Sequence, residues 1–175
     1  FADGGGAGIT LGTGTFNAGT LTFTSTGLVT IAEDSAMDIV GVNTAGSANL
    51  DSTATIDDTG STSIDIVGLG DINGVTAINQ GTAAATFNTG TLTLNSTGAV
   101  AISEDSAMDI VGVNTAGSAN LDSTATIDDT GSPNTSIDIV GLADINGVGS
   151  ISLGTLISPS PIGGNADVAC CSIAR

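Results

Sequence analysis

The sequence predicts an all-β chain folded as a parallel β-solenoid of stacked coils, and three observations predict it. A block of about seventy residues occurs twice. A weaker repeat lies inside each block, and the residues that fill it are β-branched, alternating and punctuated by Gly, Asn and Asp. A fixed long period means that each repeat is one structural unit burying its apolar face against the next.

The long repeat is read directly. The stretch from Glu33 to Ser61 (EDSAMDIVGVNTAGSANLDSTATIDDTGS) recurs unchanged from Glu104 to Ser132, an offset of 71. Upstream, TFNAGTLTFTSTGLVTIA at Thr15 becomes TFNTGTLTLNSTGAVAIS at Thr86. Downstream, Pro133 and Asn134 are inserted and the offset becomes 73, with TSIDIVGL at Thr62 and Thr135 and DINGV at Asp71 and Asp144. An insertion between Gly131 and Thr135 suits a polar turn directed away from the core.

Composition supports strands. Hydrophobic residues make up 40% of the chain, but they are small, with four Phe and no Trp or Tyr. Gly is 26 of 175, about twice the usual share of roughly 7%. Short β-branched runs between Gly, Asn and Asp read as strands joined by tight turns. No ten-residue stretch carries a 3.6-residue apolar period, so helices are not expected. In TLTFTST, Leu21, Phe23 and Ser25 point to one side and Thr20, Thr22 and Thr24 to the other.

The inner repeat aligns the stretch that follows Gly19 with the one that follows Gly46, each running to an Ile-Val-Gly. Leu21 falls on Ala48, Phe23 on Leu50, Val29 on Ile56 and Met37 on Ile64. This predicts coils at 16–41 and 42–68, then a short one at 69–86. The short segment recurs from Gly5, Gly74 and Gly147 as GGAGITLGT, GVTAINQGT and GVGSISLGT. The chain therefore divides into a partial repeat element (1–15), block 1 (16–86), block 2 (87–157) and a Pro- and Cys-containing tail (158–175). The alternative architecture is two tandem antiparallel β-sandwich or jelly-roll domains, one per block.

Strings such as NAGTLTFTSTGLVTI and NTGTLTLNSTGAVAI resemble the β-strand repeats of bacterial surface proteins of the filamentous-haemagglutinin and autotransporter-passenger type, over roughly residues 5 to 157. The resemblance implies an exported parallel β-helix with an adhesive or structural duty.

Charge narrows the function further. Eighteen acids face one base, Arg175, for a net charge of −17. Phosphate backbones are excluded as partners, because they are bound by Lys and Arg; cations are the natural small partners. No apolar run approaches the roughly 20 residues of a bilayer span. A lysine-free, acidic, Gly/Thr/Ser-rich chain that begins with Phe1 reads as a processed extracellular or cell-surface product. The absence of His removes Ser-His-Asp, Cys-His and His-metal chemistry, and the acid pairs Asp57-Asp58 and Asp128-Asp129 are copies in repeated turns. The chain is therefore not expected to be an enzyme.

Four acids form the candidate cation site: the inner alignment stacks Asp38 on Asp65 and Asp109 on Asp138. Like charges one strand apart repel by roughly 1 kcal/mol even in water, and a cation such as Ca²⁺ would relieve this. No dedicated calcium motif is present, and no other cofactor is expected. An ice-binding reading of the outward threonines conflicts with the alignment, which sets Thr20, Thr22 and Thr24 on Ser47, Asn49 and Asp51. Sequons stand at Asn95 and Asn134. In the tail, Cys170 and Cys171 are adjacent; a bond between them would be strained, which points to intermolecular disulfides.

The expected function is thus an extracellular structural subunit of a surface filament or sheath. It would form a homo-polymer by end-to-end β stacking with tail-mediated contacts, in contact with a cell surface or matrix. The alternatives are a fragment of a long surface adhesin and a Ca²⁺- or ice-binding solenoid module.

Overall fold

A computed structural model describes residues 1–12, 14–82, 84–129 and 135–153, together with the backbone of 166–170. Strands β1 (Ile9–Leu11), β2 (Leu28–Glu33), β3 (Met37–Ile39), β4 (Val42–Ala45), β5 (Ser47–Ser52) and β6 (Thr55–Asp58) lead into the long β7 (Ser63–Gly74). Next come β8 (Ala77–Gln80) and a second long strand, β9 (Thr86–Asn95). The chain continues through β10 (Ala99–Glu104), β11 (Met108–Asp109), β12 (Val113–Ala116), β13 (Ser118–Ser123) and β14 (Ile127–Asp128). It finishes with β15 (Ser136–Ile139), β16 (Ala143–Gly147), β17 (Ile151–Ser152) and β18 (Ala166–Cys170).

The chain is an all-β parallel solenoid of about six turns. Every ladder between these strands is parallel, which the antiparallel sandwich alternative cannot accommodate. Eight strands form one sheet in the order β1-β2-β5-β7-β9-β12-β15, with β4 also on β7. Seven form a second, β18-β16-β13-β10-β8-β6-β3, and three a third, β11-β14-β17.

The cross-section has three faces. Strands β7 and β9 each turn a corner: their first halves continue the face begun by β4, and their second halves continue the face of β5, β7 on β5 and β9 on β7. The register shift between Ile66 and Leu69 marks that corner. Above β9 the three-stranded sheet takes over the first face, with the Asp105 N–H donating to Phe87 O and Ile110 bridging Leu92.

Partners along the column set the coil length. Val29 pairs with Ala48, Ala48 with Gly70 and Gly70 with Leu92, so the chain returns to the same place after offsets of 19, 22 and 22. Among the described residues the shortest offset is 18, from Leu21 to Ile39, and the longest is 24, from Leu121 to Ile145. The unequal coils expected from the inner alignment, at 16–41, 42–68 and 69–86, are therefore corrected. Val29 lies on Ala48 rather than Ile56, and Met37 on Ile56 rather than Ile64.

The reason is geometric. With β7 and β9 counted as two segments each, the inner offset (Gly19 to Gly46) spans four segments, and the offset of 71 spans ten. With three segments to a turn, both offsets overshoot whole turns by one face. Thus β2 lies in the eight-stranded sheet while its copy β10 lies in the seven-stranded one; β3 lies in the seven-stranded sheet and its copy β11 in the three-stranded one. The short segment shows all three positions, as β1, β8 and β17 in three different sheets.

Inside run aliphatic ladders, such as Leu11-Ile31-Leu50-Ile72-Leu94 and Ile56-Ile78-Val100-Ala119. Phe23 and Phe87 are fully buried among them. Small, stackable side chains suffice because each need only cover its equivalent about 4.8 Å away. Corners are pinned by buried Asn43 and Asn114. The Phe23 N–H donates to Asn43 Oδ1 at 2.9 Å, and the Leu94 N–H to Asn114 Oδ1 at 2.9 Å. Glycines stack at other corners: Gly46 N–H donates to Gly27 O at 2.9 Å and Gly68 N–H to Gly46 O at 2.8 Å. One face further round, Gly117 N–H donates to Gly98 O and Gly141 N–H to Gly117 O, both at 2.7 Å.

Candidate functional site

The face-by-face rotation also duplicates a surface groove. Where β2, β5, β7 and β9 end, their outward residues line a groove of about 410 Å³ that includes Asp51, Asn73, Val75, Asn95 and Thr97. Its copy, of about 240 Å³, holds Asp122, Asn146 and Val148 at the ends of β13 and β16. The grooves lie on different sheets and repeat the same chemistry.

An amide organises each groove. Asn73 Nδ2 donates to Asp51 Oδ1 at 2.8 Å and to Asp71 Oδ1 at 3.2 Å. Asn146 Nδ2 makes the same pair of bonds to Asp122 at 2.9 Å and Asp144 at 3.1 Å. In the first groove Asn73 Oδ1 accepts from Asn95 at 3.0 Å, so the ladder runs over three coils. Burial raises the Asp71 carboxyl above its ordinary value; the Asn73 bond opposes this and neighbouring Asp51 adds to it. The outcome is a polar trough that can accept hydrogen bonds from hydroxyl or ammonium donors, beside an exposed valine. The sequon at Asn95 therefore falls on a half-buried side chain within the groove ladder. The sequon at Asn134 lies outside the described residues.

Sequence reasoning missed Asn73 and Asn146. The signal was present in the recurrence of Asp-Ile-Asn-Gly at Asp71 and Asp144, where Asp and Asn two apart share a strand face.

The four acids of the expected cation column are placed differently. Asp38 stacks on Asp57, with the Thr59 hydroxyl donating to Asp38 Oδ1 at 2.9 Å. Asp65 is exposed between Thr44 and Asn88 on another face. Asp109 stacks on Asp128, and Asp138 on Thr115. Asp38 does not meet Asp65, nor Asp109 Asp138, because the alignment that joined them is offset by one face. Burial, and then the adjacent Asp128, hold the Asp109 carboxyl above its usual range, as expected for acids one strand apart. Among the described residues no group of three or more His, Cys, Asp or Glu side chains is gathered to hold a metal ion.

Glu33 and Glu104 turn inward instead. Glu33 Oε1 accepts from the Ala18 N–H at 2.8 Å and the Ser35 hydroxyl at 3.1 Å. Glu104 Oε1 accepts from the Thr89 N–H at 2.8 Å and hydroxyl at 3.1 Å, and burial pushes this carboxyl up to about 7. In the tail, the backbone of Gly147 pairs with that of Cys170; the Cys170 side chain and Cys171 lie outside the described residues. No helix among the described residues is long and apolar enough to cross a membrane. Comparison with protein-family models, curated proteins and solved structures finds no match to this chain.

Proposed function

We propose that the protein is a structural column of an extracellular surface, a filament or sheath subunit that associates end to end through its strand edges. One observation carries this reading. The short segment is covered twice by a following strand, Ile9 by Val29 and Ile78 by Val100. The third instance, β17, has only β14 as a neighbour among the described residues. Where such a parallel edge stays open at the end of the column, it recruits another strand. The lysine-free, acidic surface fits an exported chain, and Cys170 and Cys171 would lock neighbours together in an oxidising compartment.

Sedimentation and electron microscopy over a concentration series test this. Polymers should grow with concentration, grow further with salt as the −17 charge is screened, and shorten in reductant. Thr10→Lys places a charge on the exposed edge strand β1 and should suppress growth. A monomer at every concentration and salt overturns the reading.

The duplicated groove favours a second reading, an adhesive stalk that grips a hydroxyl-rich surface polymer. Asp51→Ala with Asp122→Ala should then abolish retention on immobilised neutral polysaccharide while leaving the circular dichroism unchanged. Equal retention of wild type and double variant would exclude it.

A further inference from the structure

The interior holds one polar pair that the assembly reading does not use. On the third face, Ile39 pairs with Asp58 and Gln80 with Ile102. Asp57 pairs with Asn79, so Asp58 and Gln80 are the next residues on two adjacent coils. They interrupt an otherwise aliphatic column. Asp58 is 4% exposed and Gln80 0%. Asp58 Oδ2 accepts the Gly81 N–H at 2.6 Å, and Gln80 Nε2 donates to Asn79 O at 2.6 Å. That leaves Asp58 Oδ1 and Gln80 Oε1, both buried and both without a hydrogen-bond partner. Two buried acceptor atoms on neighbouring rungs, neither of them holding a hydrogen bond, each carry the cost of an unmade one.

We propose that Asp58 takes up a proton in the folded solenoid as the pH falls and then donates from Oδ1 to Gln80 Oε1, so that the two coils are joined by a proton and tighten on acidification. One proton satisfies both orphaned oxygens. The surroundings favour it: Asp57 on the same strand adds a like charge, Asp38 on β3 and Glu104 on β10 bring no cation, and β8 carries no charged group. Burial, with Asp57 adding to it, pushes the Asp58 carboxyl up to about 6 against the Gly81 bond. Block 2 lacks the pair, because Leu153 stands where block 1 has Gln80.

A carboxyl raised on folding stabilises below its unfolded value, and the contribution is lost as pH rises through the folded one. The gain is therefore full below about 4 and gone above about 6. Chemical unfolding of wild type and Asp58→Asn across pH 4 to 8 tests this, since asparagine keeps the shape and carries a permanent donor. Relative to the variant, the wild-type unfolding equilibrium should shift about 100-fold toward folded between pH 8 and pH 4. The variant should be the more stable of the two at pH 8. Carboxyl ¹³C NMR of the native chain gives an independent readout in which Asp58 titrates above the surface aspartates. Asp58 titrating among those surface acids, or a constant difference between the two proteins across the range, overturns the proposal.

Discussion

Replacing Asn43 with alanine is expected to cost the solenoid about 3 kcal/mol. The side chain is fully buried and makes four bonds: one from the Phe23 N–H, and three from Nδ2 to the carbonyls of Val40, Gly41 and Ser63 at 3.1, 3.2 and 3.4 Å. Not all are lost outright. Val40 O keeps the Thr22 hydroxyl and Gly41 O keeps the Ser63 N–H. The Phe23 N–H keeps nothing, beside a cavity in the apolar interior, and an orphaned buried donor costs about 1–3 kcal/mol. Asn114→Ala should cost the same. There the Leu94 N–H is orphaned, while Val111 O keeps Thr93 and Gly112 O keeps Ser136. Urea unfolding of both single variants and the double variant measures this. Equal and additive losses with an unchanged m-value are expected, since the two asparagines lie far apart along the column. Unequal losses would show that the two corners are not equivalent.

The glycine corners give the second large effect. A Cβ on Gly46 would collide with the Thr26 carbonyl oxygen, and one on Gly117 with that of Thr97. Each obstacle is the backbone of the coil below, which cannot retreat without breaking its own ladder. Ala at either position should therefore cost about 3 kcal/mol, or roughly 6–12 °C in midpoint for a chain of this size. Gly60→Ala is the contrasting substitution: nothing lies within 4 Å of its Cβ site. Its φ of 73° still imposes the left-handed cost of about 1–2 kcal/mol. Thermal unfolding that ranked Gly60→Ala as the most damaging of the three would refute the stacking account.

Much of this fold is legible in the sequence. Alternation in TLTFTST and LVTIAE, Gly and Asn at regular intervals and a long exact repeat leave few options besides stacked parallel strands. Coil length was not legible, because a similarity search rewards chemical likeness whichever face a segment occupies. Val29 resembles Ile56, but its neighbour in space is Ala48. In a three-faced column with interchangeable sides, the best alignment and the stacking register come apart. The same slip separated the expected acid pairs and hid the stacked ones, Asp38 with Asp57 and Asp109 with Asp128. The buried roles of Glu33, Asp58 and Glu104 were also out of reach, since an acid at a strand end reads as solvated until the corner that encloses it is known.

The one-face advance of the repeat has a mechanical consequence. A rod built from identical panels in line would have one weak side, along which every acid pair and every bent strand lay, and it would bow toward that side under load. Here each copy of a panel is turned by one side, as in a spiral stair, and three successive copies visit every side once. Copies of one panel are thereby distributed around the axis, and a rod of many such blocks would have no single soft side. Lengthening by further duplication keeps that distribution, provided each added block brings a whole number of sides that is not a whole number of turns.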